Sequence, residues 1–384
     1  MLTRYYFRLL AEVLASCFRA PPRLVLPGHS TPLTPEEYEV ARCICRGIQA
    51  FIDDRDAYIT RHDLKPEVNN PAANWALDNS FYDGSRALLT MRYEELNMLR
   101  VFSQMFSGVF LGVKFIKGML VPRSVPPDLD KDVAAWLGKG FHKWRHKHAA
   151  LLSTVPELRR LSVPRIFGET GLLVDGAIVS HDTLAYLERA ALLLRSGLIG
   201  RLRAMPRPVV LEIGSGYGAL AHFVRQLVPN CAYICVDLPE SLIFSAIYLS
   251  RLHPGGLLFT EHTKGQELAR HDTAFVPNYM FHALVDNRVT VDLAINTLSM
   301  AEMTPAQIDA YCAGLRVMLG STGVFFEQNH DNRHIGLSYA AEVIARRFAH
   351  AREIVPNFKM SQGRPTAWAA DEAALEGVPG RSLR

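Results

Sequence analysis

The sequence predicts an α/β protein, a parallel sheet wound with helices on both faces and preceded by a mostly helical region. Three observations predict it. From Pro206 onward, short apolar runs alternate with amphipathic stretches of helical period, as in a chain of βαβ units. The run Pro208-Val209-Val210-Leu211-Glu212-Ile213 leads straight into Gly214-Ser215-Gly216-Tyr217-Gly218, three glycines at alternate positions, and a helix starts at once. The first two hundred residues, by contrast, carry helix-capping signals and apolar positions at helical spacing.

The chain has 384 residues, room for two or three domains. Hydrophobic residues make up 49% and charged ones 21%, an ordinary globular balance with enough apolar surface for a large core. A net charge of +4 is too mild to imply a nucleic-acid partner. The six cysteines show no zinc spacing: Cys43-x-Cys45 lacks a second pair, and Cys17, Cys231, Cys235 and Cys312 stand apart. Reduced, mostly buried thiols in a cytoplasmic protein are expected. Glu12 interrupts the first apolar run and no small-residue cleavage site follows, so residues 1–18 read as an amphipathic helix. Residues 101–121 are the most hydrophobic, but Lys114 and Lys117 break them. Their charge-free part falls short of the ~18 residues a membrane span needs, so a buried helix is expected.

In chain order, Thr34-Pro35-Glu36-Glu37 is a capping box that starts a helix to about Phe51. Asn69-Asn70-Pro71 marks a loop, and residues 86–119 read as helical until Pro122, Pro126 and Pro127 break the pattern. Residues 139–148, KGFHKWRHKH, form the one conspicuous basic cluster. It reads as a solvated helix face with two aromatics on the core; the alternative is a grip on an acidic substrate. Phe167-Gly168-Glu169-Thr170 offers either a glycine-flanked acid that reaches a site or a plain turn. Residues 172–179 read as a hairpin about Asp175-Gly176, followed by a helix capped by Ser180 to about Leu198.

In the α/β part, Leu220, Phe223, Val224, Leu227 and Val228 make a helix that Pro229-Asn230 stops. A second strand ends in Asp237, and Leu238-Pro239-Glu240-Ser241 opens a helix to about Arg251. After a less regular stretch, 254–272, strands are predicted at 273–278, 291–295, 324–327, 353–360 and 365–369, seven in all. Helices are expected from the Thr304 capping box to Gly320 and over 337–350. The domain plan is therefore helical over 1–200 and α/β over 201–371, with a flexible tail at 372–384.

In such a sheet, ligands lie beyond the carboxyl ends of the strands, near the point where strand order reverses. Those ends carry Glu212 with the glycines, Asp237, Asn278, Asn296 to Glu302, and Asn329 to Asp331. A ligand must approach the backbone at Gly214 and Gly216, where a Cβ would obstruct it. The following helix presents free N–H groups. Asp237 is placed to accept both hydroxyls of a ribose. Read as G-x-G-x-x-A (Gly214, Gly216, Ala219), the turn is a dinucleotide fingerprint, and NAD(P) is one reading; a purely structural glycine turn is another. Read as E-x-G-x-G-x-G, it resembles the first motif of class I S-adenosylmethionine (SAM) methyltransferases. Glu212 favours SAM, because it would repel a pyrophosphate and attract the ammonium of a methionyl group.

The runs Leu211 to Ala221, Val236-Asp237-Leu238-Pro239-Glu240-Ser241 and Ile295-Asn296-Thr297-Leu298-Ser299-Met300-Ala301-Glu302-Met303 narrow this further. Over roughly residues 165–369 the chain resembles the sugar O-methyltransferase family. That resemblance implies a Rossmann-like class I methyltransferase sheet and SAM as cofactor, held by Glu212, Gly214, Ser215, Gly216, Gly218, Asp237, Leu238, Asn278 and Asn296. It also implies methylation of a sugar hydroxyl on a glycan or glycosylated natural product. The reaction is an in-line displacement at the methyl, and a hydroxyl needs a base to become a good nucleophile. His330 and Glu302 are the candidate bases; the plainer alternatives are a satisfied loop histidine and an acid that holds its own loop. Asp331 is placed either to orient His330 or to join Glu302 at a divalent metal, although no ligand spacing demands one. The helical part is expected to supply the acceptor pocket and a homodimer surface. The rival functions are C- or N-methylation of a non-sugar acceptor, an NAD(P)-dependent oxidoreductase, and a non-catalytic partner with the same fold.

Overall fold

A computed structural model describes residues 23–72, 75, 82–103, 106, 129–268, 270–358, 360 and 363–383. The expected helix at 1–18, most of the apolar stretch 101–121 and the proline break at 122–127 lie outside the described residues.

The chain builds two sheets. Strands β1 (Arg23–Val25), β2 (Gly171–Val174) and β3 (Ala177–Val179) form a small antiparallel one. The β2–β3 hairpin turns on Asp175 and Gly176, both with positive φ, as the Asp-Gly signal predicts. The large sheet contains β4 (Val209–Ile213), β5 (Ala232–Asp237), β6 (Leu257–Leu258), β7 (Thr273–Pro277), β8 (Leu293–Thr297), β9 (Val324–Asn329), β10 (His350–Glu353), β11 (Arg364–Ala369) and β12 (Arg381–Leu383). Its order is β12-β10-β11-β9-β8-β4-β5-β7-β6, parallel from β9 through β6, with β11 antiparallel to β9. Among the seven expected strands the spatial order is third, second, first, fourth, fifth, seventh, sixth. This is a Rossmann-like methyltransferase sheet with one strand added at each edge. Chain order reverses between β4 and β8, so the crevice of the fold opens beyond the tips of those two strands.

The edge strands correct the expected count. Two residues of the irregular stretch 254–272 pair with β7, and the expected flexible tail closes the other edge. Ala374, Leu375 and Val378 are buried, and Arg381–Leu383 pairs with β10. Neither strand is long enough to show an alternating pattern; tertiary pairing makes them.

The helices that matter for the site are α1 (Pro35–Arg61), α2 (Asp83–Leu89), α3 (Leu129–Thr154), α4 (His181–Arg195), α5 (Ala219–Leu227), α6 (Pro239–Leu252), α7 (Phe281–Asp286), α8 (Pro305–Leu319) and α9 (Ala340–Ile344). The Thr34, Ser180 and Thr304 capping boxes all form. Helix α1 runs ten residues past the expected end. Its charged run Asp53-Asp54-Arg55-Asp56 hides a continuing inner face, where Arg55, Tyr58 and Ile59 are buried. Residues 86–119 do not make one long helix: Met91 takes a positive φ after α2, and short helices follow at Tyr93–Asn97 and Leu99–Phe102. The basic cluster lies on α3, with Lys143 and His146 exposed and Trp144 and His148 buried. Toward the end of the chain, α9 is shorter and β10 earlier than expected. Apolar residues from both halves, such as Leu99, Phe102, Tyr186, Phe223 and Tyr248, belong to one core, so the change of texture near residue 200 is not a gap between cores.

Candidate active site

The glycine turn joins β4 to α5, with φ of +78° at Gly214, +55° at Gly216 and +88° at Gly218. A Cβ on Gly214 would lie 2.2 Å from the Ser299 hydroxyl, and one on Gly218 would lie 2.8 Å from Leu249. The nearest obstacle to a side chain at Gly214 is therefore the loop after β8. Beside Gly216 stand Phe106 and Tyr186 from the helical half. Asp237 closes the turn: its Oδ2 accepts from the Gly216 N–H (3.0 Å) and its Oδ1 from the Leu238 N–H (2.8 Å). It stays partly open to solvent, as does Leu238, and burial pushes its carboxyl up to about 7 against the pull of those donors. Ser215 directs its hydroxyl toward Ser245 on α6 (3.3 Å).

Glu212 is buried at the tip of β4. Its Oε2 accepts from the Tyr233 hydroxyl (2.7 Å), while Oε1 takes no hydrogen bond from the described residues. Burial pushes this acid up to about 8, opposed by Tyr233 and by the nearby charge of Arg189. Arg189, buried on α4 over the Tyr186 ring, was not among the expected site residues. Arg189 follows Glu188 in the middle of a helix buried from His181 to Leu193, and nothing in the sequence marks it as reaching the tip of β4.

At the tip of β7, Asn278 donates to the Asn69 carbonyl (2.7 Å), and its buried Oδ1 has no hydrogen-bond partner among the described residues. It lines a cleft of about 270 Å³ with His282, Asp286, Gln307 and Tyr311. Burial, and then the charge of Asp237, raises the Tyr311 pKa.

On the other side of the crevice, Asn296 has both amide atoms engaged. Nδ2 donates to the Ile213 carbonyl (2.8 Å) and the Ser299 hydroxyl (2.5 Å), and Oδ1 accepts from Met300 N–H (3.3 Å) and Asn329 (2.9 Å). Its side chain, expected among the cofactor contacts, holds the turn together. Leu298, at φ +72°, is strained by roughly 1–3 kcal/mol, a feature that clusters at functional sites. Glu302 accepts from the Trp75 indole, and burial raises its pKa. His330 is half-buried and takes no hydrogen bond from the described residues. Desolvation, then the Arg189 charge, lowers its pKa, so it is neutral at physiological pH. Asp331 does not orient it. That exposed carboxylate forms a two-pronged pair with Arg333 (2.6 and 2.8 Å), which pulls it down to about 2. No cluster of three metal-ligating side chains occurs among the described residues.

Two ion-paired clusters support the site from behind. Glu169 is wholly buried and pairs with Arg100 (2.8 Å), which also binds Asp182 (2.6 Å). The Arg100 guanidinium lies 3.5 Å from the centre of the Tyr217 ring, the residue between the second and third glycines. Glu169 thus backs the turn and does not face the crevice. Glu240, in the Leu-Pro-Glu run after Asp237, pairs with Arg55 of α1 at 2.6 Å.

No family model matches the chain, and no curated protein matches it. Among solved structures, it is similar to a protein from Nostoc punctiforme PCC 73102 assigned as an O-methyltransferase, at 16% identity over 74% of this chain and 94% of that one, TM-score 0.34. It is also similar to precorrin-6y C5,15-methyltransferase from Geobacter metallireducens GS-15, at 15% identity over 45% and 86%, TM-score 0.28. A third is SAM-bound CalS10, an amino pentose methyltransferase from Micromonospora echinaspora, at 19% identity over 38% and 51%, TM-score 0.26. At these scores the fold stands on its own strand order.

Proposed function

We propose that the chain is a SAM-dependent methyltransferase that methylates a hydroxyl of a sugar-bearing acceptor. One observation carries the cofactor: a buried acid with a free oxygen stands at the head of a left-handed glycine turn whose far side is closed by a second acid. The donor chemistry fits. Glu212 Oε1 offers an acceptor to an ammonium, Asp237 keeps lone pairs for two ribose hydroxyls, and the orphaned Asn278 Oδ1 suits an amino group on a purine. A pyrophosphate would meet the carboxylates of Glu212 and Asp237 at the turn.

The cofactor supplies an electrophilic methyl group. The chain's own part is to orient the acceptor and take its proton. His330, neutral and unpartnered among the described residues, is the acceptor for that proton at its ring nitrogen. Glu302, held by the Trp75 indole, takes a hydrogen bond from a neighbouring hydroxyl. The indole beside a carboxylate pairs an aromatic face with an acceptor, which supports the sugar reading together with the sequence resemblance. Calorimetry with S-adenosylhomocysteine, NADH and NADPH tests the cofactor. Methyl-labelled SAM with glycosides, nucleotide sugars and non-sugar acceptors tests the substrate. Binding of a dinucleotide alone overturns the first claim; labelling of non-sugars alone overturns the second.

A further inference from the structure

The residues that carry the proposed chemistry sit on two segments, the turn after β8 with Glu302 and the loop after β9 with His330. Asn329 lies between them. Its Oδ1 accepts from the Ala301 N–H (3.0 Å), and its Nδ2 donates both to Asn296 Oδ1 (2.9 Å) and to Glu327 Oε2 (2.8 Å). Asn296 in turn reaches the carbonyl of Ile213, the residue before Gly214, and the hydroxyl of Ser299. Glu327, Asn329 and Asn296 are each buried, and Trp368 of β11 approaches the second Glu327 oxygen (3.5 Å). A row of three side chains thus spans the tips of β9, β8 and β4 under the crevice, and its neighbour Leu298 is held in a left-handed conformation by a bond from its N–H to the Gln328 carbonyl (2.9 Å).

We propose that Glu327, Asn329 and Asn296 form a positioning relay that fixes the turn bearing Glu302 against the loop bearing His330 and against the glycine turn. The Asn329 amide has one orientation: Ala301 N–H needs its oxygen, and Asn296 Oδ1 and Glu327 need its NH₂ group. An ionised Glu327 makes its bond to that NH₂ group a charge-assisted one, and protonation weakens it and loosens the amide that holds the Ala301 N–H. Burial pushes Glu327 up to about 7, so the choice between these states is made near neutral pH. The relay gives a role to a buried carboxylate inside the sheet.

The relay rests on the proposed function only for its consequence on turnover, and the test separates the two. Hydrogen exchange of a peptide over residues 298–303 is followed against pH in the wild type, Glu327→Gln and Asn329→Ala, after correction for intrinsic rates. S-adenosylhomocysteine calorimetry and labelled-methyl transfer are run in parallel. The expected result is protection of that peptide which strengthens through about pH 7 in the wild type and is roughly tenfold weaker and flat with pH in Glu327→Gln. Asn329→Ala loses the protection as well, while both variants keep affinity for S-adenosylhomocysteine within threefold and lose at least tenfold in kcat. Wild-type protection and kcat in Glu327→Gln overturn the relay, as does loss of protection spread over the whole sheet. Failure of the wild type to bind S-adenosylhomocysteine, with the exchange pattern intact, overturns the cofactor reading and leaves the relay standing as a positioning device.

Discussion

Glu212 shows how much chemistry one buried side chain can concentrate. With one oxygen bonded to Tyr233 and the other open, it is half-prepared for a cation and disfavours its own charge until one arrives. Glu212→Gln keeps the Tyr233 bond but removes the charge, and a hydrogen bond to a charged group contributes about 1.5–3 kcal/mol. S-adenosylhomocysteine should therefore bind roughly 10–100-fold more weakly. Because the ionised acid is the binding form, wild-type affinity should rise with pH up to about 8, and the variant should lose that rise; calorimetry across pH 6–8 reads both. At this scale the sequence disclosed Glu212, Asp237 and the glycines, because strand tips and left-handed turns demand particular residue types. It could not disclose Arg189, which reaches the site from a distant helix. Nor could it place Asp331, whose orientation is decided by Arg333 two residues on.

Among the elements, α1 illustrates both sides of legibility. Its start was written in a capping box, but its last turns depend on a partner 185 positions away, where Arg55 meets Glu240. Arg55→Met would leave that buried carboxylate alone and should lower unfolding free energy by about 3–5 kcal/mol, whereas Arg55→Met with Glu240→Met should recover most of it. Denaturant titration distinguishes the two outcomes. The same pair explains why a Leu-Pro-Glu run directly after Asp237 need not touch any ligand: it ties the helical half to the second βαβ unit. The long strands and α8 were predictable from periodicity alone. Strands β6 and β12 were not, since pairing at an edge leaves no pattern in two or three residues.

Over the whole molecule, titration should give stability a particular dependence on pH. Glu212 at about 8, Asp237 at about 7 and Glu327 at about 7 keep protons in the folded state that an unfolded chain releases near its ordinary carboxylate range. The folded state then binds more protons, so these groups make stability fall as pH rises from about 4.5 to 8. His222 and His253, held near 4 by burial, act in the opposite sense below the ordinary histidine value of about 6.5. Above about pH 6.5 the acids are unopposed. The ligand-free melting temperature should drop between pH 6.5 and 8, and Glu212→Gln should flatten that slope in differential scanning calorimetry. The drop is the thermodynamic counterpart of a site assembled for a cation.

The edge strand Arg381–Leu383 lies beside β10, preceded by the buried Leu375 and Val378. Trimming residues 381–384 would bare a row of backbone donors and acceptors on β10, an invitation to intermolecular pairing. A shortened protein should accordingly elute as larger species and scatter light on concentration, while its crevice at the tips of β8 and β4, separated from that rim by β10, β11 and β9, keeps its affinity.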